Sequence, residues 1–397
     1  MSNEEKYQIV IVGAGTAGIS VAARLYHDFP DREWQIAIID PSEKHYYQPL
    51  WTLVGAGIFK KEESERNQVD LIPSRAKWIK KAVRNFDPEN NQIQLDDGSS
   101  VSYEYLIVAA GIQINWGAIK GLKETIGKNG VCSNYSYEHV AKTWEYLRGI
   151  KSGRAIFTQP AMPIKCAGAP QKILYLAEDY LRKNGLKNKV ELDFCLAGPR
   201  IFGVKKYRDA LEKVLERKDL HPSYEHNLVE IDGDKKIATF DHNGERVNKE
   251  FEMIHVVPPM SAPDFISQSL LANEAGWVDV DKYSTQHNKY PNVFSLGDCS
   301  SLPTSRTGAA IRKQAPVTVK NLVSLIDGEQ LKSRYDGYAS CPLVTGYGSC
   351  ILAEFDYDGN PMESFPFDQA KERYSMYLLK AHGLPRLYWH GMLKGKA

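Results

Sequence analysis

Cys166 has the strongest chemical signature in the chain, because its neighbours favour the reactive thiolate form. It lies in the segment PIKCAGAP at 163–170, and the following QKILYLAEDYLRK has apolar residues at helical spacing. The pattern predicts a thiol just ahead of a helix N-terminus, flanked by Lys165 and Lys172. A helix N-terminus and nearby cations both lower the pKa of a thiol. We therefore expect Cys166 to be a catalytic thiol, with a structural buried cysteine as the alternative.

The other five cysteines carry weaker local signals. They are Cys132, Cys195, Cys299, Cys341 and Cys350. Cys195 lies inside an apolar strand, which indicates a core residue, and Cys299 is expected to pack near a cofactor. Local chemistry alone does not assign a role to Cys341, Cys350 or Cys132. No pair has CxxC spacing, so we predict no zinc site and no other metal site.

A glycine-rich turn near the N-terminus predicts a dinucleotide site. The apolar strand YQIVIV at 7–12 runs into GAGTAG, which opens a helix, and Asp40 follows the next strand. Gly13 permits the tight turn, Gly15 lets the backbone approach a pyrophosphate, and Gly18 lets the helix pack closely on the strand. The helix N-terminus offers free N–H groups to the phosphates, and Asp40 is placed to accept hydrogen bonds from a ribose.

Two later segments favour FAD over NAD as the dinucleotide. The strand YEYLIVAAG ends at Gly111, and the strand NVFSLGDCS runs into Gly297 and Asp298. Both resemble the further fingerprints of flavoproteins with two dinucleotide-binding domains. In that superfamily the Gly-Asp element holds the ribityl and pyrophosphate part of FAD, so the resemblance implies the same for Gly297 and Asp298.

The second domain of such flavoproteins normally binds NAD(P)H, and here that site looks degenerate. We take its counterpart to be the strand VELDFCLA at 190–197 with the turn GPRIFG at 198–203. Pro199 and Arg200 replace the residues of the tight turn, where proline removes an N–H group and arginine hinders close approach of the backbone. We expect that NAD(P)H binding is lost and that the electron donor is not a nicotinamide.

Long stretches of the chain resemble the sulfide:quinone oxidoreductases, in particular the branch that includes the mitochondrial enzymes. The resemblance covers almost the whole chain and rests on these segments: GAGTAG at 13–18, HYYQPLWTLVGAG at 45–57, KCAGAPQKILYL at 165–176, IFGVKKY at 201–207, WVDVDK at 277–282, YPNVFSLGDC at 290–299, SCPLVTGY at 340–347 and FPFDQAKER at 365–373.

The resemblance implies a redox disulfide between Cys166 and Cys341 beside FAD. Hydrosulfide would attack the sulfur of Cys341 and leave a persulfide there, while the freed Cys166 thiolate would pass electrons to FAD. Sulfite, glutathione or another thiol would then take the sulfane sulfur, and ubiquinone or menaquinone would accept the electrons from FAD. A low-pKa leaving thiol favours this exchange, which suits Cys166 ahead of its helix.

The last thirty residues have a composition that predicts association with a membrane surface. Segment 368–397 carries six basic residues (Lys371, Arg373, Lys380, Arg386, Lys394, Lys396) against two acidic ones, whereas the whole chain has a net charge of only +1. These cations alternate with apolar and aromatic residues (Tyr374, Tyr377, Leu378, Leu384, Leu387, Tyr388, Trp389). Such a segment can insert its apolar face into the interface and point its cations at anionic lipid. The alternative is a tail that docks on the protein's own core or on a dimer partner.

Composition and charge limit which partners and which cellular location we expect for the protein. The balanced charge gives no reason to expect nucleic acid as a partner. No run of 18 apolar residues occurs, and the N-terminus has neither a secretory nor a transit signal, so we expect a monotopic protein on the cytoplasmic side of a bacterial inner membrane. A trimmed organellar protein, at the mitochondrial inner membrane, would look the same. A homodimer is possible.

The predicted fold class is α/β, with two Rossmann-like domains and a C-terminal membrane-associating region. We assign residues 1–115 and 285–330 to a discontinuous FAD domain, 116–284 to the second domain, and 331–397 to the region that binds quinone and membrane. Three other functions remain open: a type II NADH:quinone oxidoreductase, the flavoprotein subunit of a sulfide dehydrogenase that feeds a cytochrome, and a flavin-binding signalling protein without enzymatic activity.

Overall fold

The computed structural model describes residues 5–397; residues 1–4, which include the start of the predicted FAD domain, lie outside the described part. The strands in the described part are β1 Glu5–Val12, β2 Ile36–Ile39, β3 Lys44–Tyr46, β4 Glu65–Asn67, β5 Lys77–Ile79, β6 Val83–Asp87, β7 Gln92–Leu95, β8 Ser100–Val108, β9 Gln113–Ile114, β10 Val131–Cys132, β11 Gly153–Gln159, β12 Val190–Leu196, β13 His226–Asp232, β14 Ile237–His242, β15 Glu245–Glu250, β16 Met253–His255, β17 Met260–Ser261, β18 Val293–Ser295, β19 Ala339–Gly346 and β20 Ser349–Phe355. The α-helices are α1 Thr16–Asp28, α2 Trp51–Gly55, α3 Leu122–Thr125, α4 Val140–Gly149, α5 Ala169–Lys183, α6 Lys205–Lys218, α7 Asp264–Ser267, α8 Gly308–Ile326, α9 Tyr374–Leu378 and α10 Leu384–His390.

The first sheet has parallel strands in the order β5-β2-β1-β8. On the far side of β8, its end pairs with the parallel strand β18 and its beginning pairs with the antiparallel strand β7, which β6 follows. The second half of β1 is buried on both faces, which explains why it is a continuous apolar run and not an alternating one. Parallel strands need crossover connections, and α1 supplies the one between β1 and β2. This is the mononucleotide-binding topology that the sequence predicts.

The second sheet repeats that order with the strands β10-β16-β11-β12, and all its pairs are parallel. An isolated bridge between Cys195 and Ser223 continues it beyond β12. By this order β11, α5 and β12 correspond to β1, α1 and β2 of the first sheet. The turn that corresponds to GAGTAG is therefore the 160–168 loop after β11. The position expected from the sequence, 198–203 after β12, is therefore wrong by one strand.

The end of the predicted second domain packs with the first sheet. Ala262, Ile266 and Trp277 share a core with Val10 and Val12 of β1. These contacts favour a return of the chain to the first domain near Ala262, whereas the sequence predicts residue 285. The division of the domains by function stays a prediction.

The C-terminal region consists of the β19–β20 hairpin and a run of short helices. Leu343 and Val344 of β19 share a core with Leu174 of α5, so the hairpin is fixed to the second sheet's first helix. Helix α9 runs through a π-helical turn at Leu379–Gly383 directly into α10. In residues 5–397 no helix is both long and apolar enough to cross a bilayer.

Candidate active site

The cofactor residues predicted from sequence meet at the carboxyl edge of the first sheet. Gly13 has a φ of +101°, and a side chain there would overlap the backbone of Ala109. A Cβ at Gly18 would overlap the Gly13 carbonyl, whereas a Cβ at Gly15 would meet no atom within 4 Å. The turn is thus closed toward the sheet and open at Gly15, which is where a pyrophosphate must approach. These features fit a dinucleotide.

The other predicted cofactor residues line the same edge. Asp40 follows β2, and its carboxylate accepts hydrogen bonds from the Ala14 N–H at 2.7 Å and the Ser42 N–H at 2.8 Å. Gly111 follows β8 with a φ of +74° and open space at its Cβ position. The Asp40 carboxylate and the open Gly111, which follow separate strands, suit a long ligand that lies across the ends of the strands.

The Gly297-Asp298 element follows β18 at that edge. The Gly297 N–H donates to the buried side-chain oxygen of Gln314 on α8, at 2.9 Å, which fixes the turn to the helix. Burial raises the pKa of Asp298, against the influence of Lys165 and Arg306. Gln314 is thus a supporting residue of this turn.

Cys166 and Cys341 come together across 175 residues of sequence, with their sulfurs 3.6 Å apart. Cys166 is in the loop before α5, with a φ of +54°, and Cys341 is buried in β19. A positive φ at a non-glycine residue costs about 1–3 kcal/mol, and such strained residues cluster at functional sites. The Cys166 N–H donates to the Arg306 carbonyl at 2.9 Å, so the loop is tied to the segment that follows the Gly297 turn.

The pair is electrostatically asymmetric. The pKa of Cys166 lies well below its ordinary value, because the Cys341 thiol donates a hydrogen bond to it and Lys172 and Lys380 lie nearby, although burial opposes this. The same hydrogen bond raises the pKa of Cys341, and burial adds to that increase. The Lys172 ammonium is 3.4 Å from the Cys166 sulfur. In the reduced pair Cys166 is therefore the thiolate and Cys341 the thiol.

Lys380 is the site residue whose role sequence reasoning missed. We expected it to face lipid, but its side chain is only 2% exposed and its ammonium donates to the Pro49 carbonyl at 2.6 Å. Burial, and then repulsion from Lys172, lower its pKa to about 8, against the attraction of Cys166. It sits in the π-helical turn, an irregularity that is frequent at functional sites. Amphipathic spacing could not have revealed this, because the partners of Lys380 are remote in sequence.

The remaining four thiols are fully buried, and burial raises the pKa of each of them. Cys132 donates a hydrogen bond to the Ile254 carbonyl, and Cys195 lies in β12. Cys299 contacts the Val108 carbonyl at the carboxyl edge of the first sheet. Cys350 lies near Lys172 and Lys380, which oppose the rise in its pKa. In residues 5–397 no group of three or more metal-ligating side chains could hold an ion.

The C-terminal helices are partly docked on the protein and partly exposed. Tyr377, Tyr388 and Trp389, which we expected to face lipid, are at most 9% exposed. Tyr374, Leu378 and Leu387 remain exposed, at 64%, 40% and 37%. The segment therefore contains both docked and exposed residues, and Tyr374, Leu378 and Leu387 are the apolar side chains that remain available to an outer surface.

Comparison with known proteins agrees with this architecture. Residues 7–144 match the pyridine nucleotide-disulphide oxidoreductase family. A mitochondrial sulfide:quinone oxidoreductase of Dictyostelium discoideum is 51% identical over 391 residues, which are 98% of this chain and 86% of the relative. The mitochondrial enzyme of Mus musculus is 48% identical over 98% of this chain and 87% of the relative. The crystal structure of the sulfide:quinone oxidoreductase of Aquifex aeolicus has the same fold, with a TM-score of 0.83 at 18% identity, over 99% of this chain and 92% of that one. On the strength of the two close relatives, the chain belongs to the sulfide:quinone oxidoreductase family.

Proposed function

We propose that the protein oxidises sulfide with the pair Cys166 and Cys341 and passes the electrons through FAD to a membrane quinone. The observation that carries the proposal is the 3.6 Å approach of the two sulfurs beside Lys172, on a loop hydrogen-bonded to the cofactor edge. A disulfide needs a sulfur separation of about 2.05 Å, so a small movement would close the bond.

In the oxidised pair, hydrosulfide attacks the sulfur of Cys341 and breaks the disulfide. The new sulfur–sulfur bond leaves a persulfide on Cys341, and Cys166 departs as a thiolate, stabilised by Lys172 at 3.4 Å. A leaving thiol of low pKa accelerates this exchange. The asymmetric pKa values of the pair thus support attack at Cys341 and departure of Cys166.

An acceptor must next remove the sulfane sulfur. Sulfite, glutathione or another thiol attacks the outer sulfur of the persulfide, and Cys341 is released as a thiol. Re-formation of the disulfide from the Cys166 thiolate and the Cys341 thiol releases two electrons and one proton. The turns at Gly13, Asp40 and Gly297 would hold FAD, which would accept these two electrons and supply the two-electron chemistry that reaches the quinone.

Lys172 and Lys380 have distinct tasks in this scheme. The Lys172 ammonium donates a hydrogen bond to the Cys166 sulfur. The neighbouring sulfurs raise the pKa of Lys172 although burial lowers it, so Lys172 remains a cation. Lys380 is held by the Pro49 carbonyl and has a pKa of about 8, so it can gain or lose a proton near neutral pH. We propose that the protonated Lys380 side chain neutralises a second anion, hydrosulfide or persulfide, when that anion enters the site.

A type II NADH:quinone oxidoreductase is the main competing function, and the topology argues against it. The loop that corresponds to the glycine-rich turn in the second sheet is 160–168, which carries Cys166. It lacks the glycine spacing needed for a pyrophosphate, and the Cys166 amide is already bonded to the Arg306 carbonyl. The reactive thiol thus takes the place of the nicotinamide dinucleotide.

The quinone must reach the flavin from a bilayer, and the C-terminal region is the best candidate for that contact. The exposed side chains of Tyr374, Leu378 and Leu387 form an apolar outer face, and the exposed cation Arg386 lies beside them. Such a face suits a monotopic protein on an anionic membrane, such as the mitochondrial inner membrane or the cytoplasmic side of a bacterial one. A homodimer stays a prediction.

Substitution of each thiol tests the proposal. Cys166→Ser and Cys341→Ser should abolish sulfide-dependent quinone reduction while FAD content remains normal. Cys195→Ser is the matched control, because Cys195 is buried in β12 and should leave the activity near that of the wild type. Retention of most of the activity by either Cys166→Ser or Cys341→Ser would refute the disulfide mechanism.

A further inference from the structure

Two aromatic residues of α10 pack against the segment that adjoins the FAD-binding turn. The Tyr388 ring centroid is 4.6 Å from that of Tyr47, and the Trp389 ring lies 4.9 Å beneath the Arg66 guanidinium. Tyr388 is 3% exposed and Trp389 is 9% exposed. We name residues 384–397 the C-terminal clamp.

The Tyr388 hydroxyl reaches the dinucleotide turn itself. It lies 2.8 Å from the hydroxyl of Thr16, the first residue of α1, and it also hydrogen-bonds the Nε2 atom of His45. Thr16 belongs to the GAGTAG turn, whose helix N-terminus is the expected pyrophosphate site. A side chain from residue 388 therefore contacts the turn that begins at residue 13.

The direction of each hydrogen bond follows from the partners of His45. Its Nδ1 atom lies 3.2 Å from both the Ala14 carbonyl and the Gln68 side-chain oxygen, which are acceptors only, so Nδ1 carries the proton. Burial lowers the pKa of His45 to about 4, so the ring is neutral and Nε2 accepts from Tyr388. The Tyr388 oxygen then accepts from Thr16, and the relay runs from Thr16 through Tyr388 and His45 to Ala14.

This relay fixes both polar groups of Ala14. Its carbonyl accepts from His45 and from the Gln68 amide at 2.8 Å, and its N–H donates to the Asp40 carboxylate. Three side chains thus fix the pyrophosphate turn at Ala14, and one of them, His45, depends on Tyr388 for its last hydrogen bond.

The clamp is attached to α1 at a second place. The Arg24 guanidinium donates to the main-chain oxygen of Ala397, and a Cβ at Gly395 would come within 2.8 Å of the Ala23 backbone. Arg24 is eight residues beyond Thr16, which is about 12 Å along a helix. Two separate attachments hold the clamp along the helix whose N-terminus would face FAD.

We propose that the C-terminal clamp retains FAD, with Tyr388 as a positioning residue for the pyrophosphate turn. The inference rests on the FAD site of the proposed function and goes beyond it, because it makes cofactor release depend on the C-terminal segment. The coupling is reciprocal, so bound FAD must in turn hold the clamp in place.

The test is the rate of FAD release from the full-length holoenzyme after dilution, followed by the fluorescence of free FAD. Tyr388→Phe keeps the ring and removes only the hydroxyl, and the loss of one buried hydrogen-bond partner should speed release by about tenfold. Tyr374→Phe is the matched control, because Tyr374 belongs to the same C-terminal region and is 64% exposed. Its release rate should equal that of the wild type.

Two further measurements separate a clamp from local damage to the turn. Arg24→Gln loosens the distant attachment and should also speed FAD release. Trypsin should cleave after Arg386 faster in the diluted Tyr388→Phe protein than in the wild type. An excess of FAD should return the cleavage rate to that of the wild type. A simple folding defect would not be reversed by FAD. Equal FAD release from Tyr388→Phe and the wild type overturns the clamp. A wild-type protein purified without flavin overturns the cofactor proposal itself.

Discussion

Gly168 packs directly against the Cys341 sulfur, and its substitution offers a quantitative prediction. A Cβ at Gly168 would be 2.7 Å from the Cys341 sulfur and would overlap a methyl group of Leu343. Gly168 has right-handed helical dihedral angles, with a φ of −86°, which alanine also adopts. The strain in an alanine variant would therefore come from steric overlap and not from the backbone conformation. To restore an ordinary 3.4 Å contact, the Cys341 sulfur would have to move by about 0.7 Å.

The strain should fall mainly on the oxidised pair. In the dithiol the Cys341 sulfur can rotate away, but in the disulfide it is fixed to Cys166. Overpacking of this kind costs about 1–3 kcal/mol. Since about 1.4 kcal/mol corresponds to about 30 mV for a two-electron couple, Gly168→Ala should raise the disulfide midpoint potential by about 20–60 mV.

The assay is a redox titration of the purified protein in thiol–disulfide buffers, with the free thiols labelled after denaturation and the Cys166 and Cys341 peptides quantified by mass spectrometry. Gly203→Ala is the matched control, because a Cβ there meets no atom within 4 Å. Its potential should equal that of the wild type. An unchanged or lower midpoint potential in Gly168→Ala would show that this contact does not restrain the pair.

Three further predictions follow from the charges and the exposed surface. Lys172→Met should raise the pKa of Cys166 and slow alkylation of the reduced protein at neutral pH by about tenfold or more, and an unchanged rate would exclude Lys172 as the stabilising cation. Lys380 has a pKa of about 8, so it is charged below that pH and neutral above it. The wild-type sulfide:quinone rate should therefore fall as the pH rises through about 8, and a Lys380→Met variant that kept the same fall would contradict this. The double change Leu378→Ser and Leu387→Ser should weaken binding to anionic vesicles by about tenfold or more in co-sedimentation, at unchanged FAD content.

Local patterns predicted the parts of the site that depend on neighbouring residues. The GAGTAG turn, with Asp40 after the next strand, and the position of Cys166 ahead of a helix are set within single strand–turn–helix units, where glycine spacing and apolar periodicity carry the information. Pairing of Cys166 with Cys341 came only from family resemblance, because no local feature of β19 marks Cys341. The geometry places the sulfurs together, while their redox roles stay a prediction.

The features that sequence reasoning misplaced all depend on contacts between distant segments. The order of strands in the second sheet decides that the 160–168 loop, and not 198–203, follows its first strand. Lys380 and Tyr388 have the spacing of a membrane-surface helix, yet they are buried because partners from the N-terminal third of the chain cover them. An amphipathic pattern identifies an apolar face but not what that face packs against.

The most direct test of the central claim is anaerobic stopped-flow reduction of the flavin, with sulfide and NADH in separate experiments on the same holoenzyme. The account predicts rapid bleaching by sulfide, none by NADH, and loss of the sulfide reaction in Cys166→Ser. Bleaching by NADH, with a flavin that stays oxidised in sulfide, would contradict it.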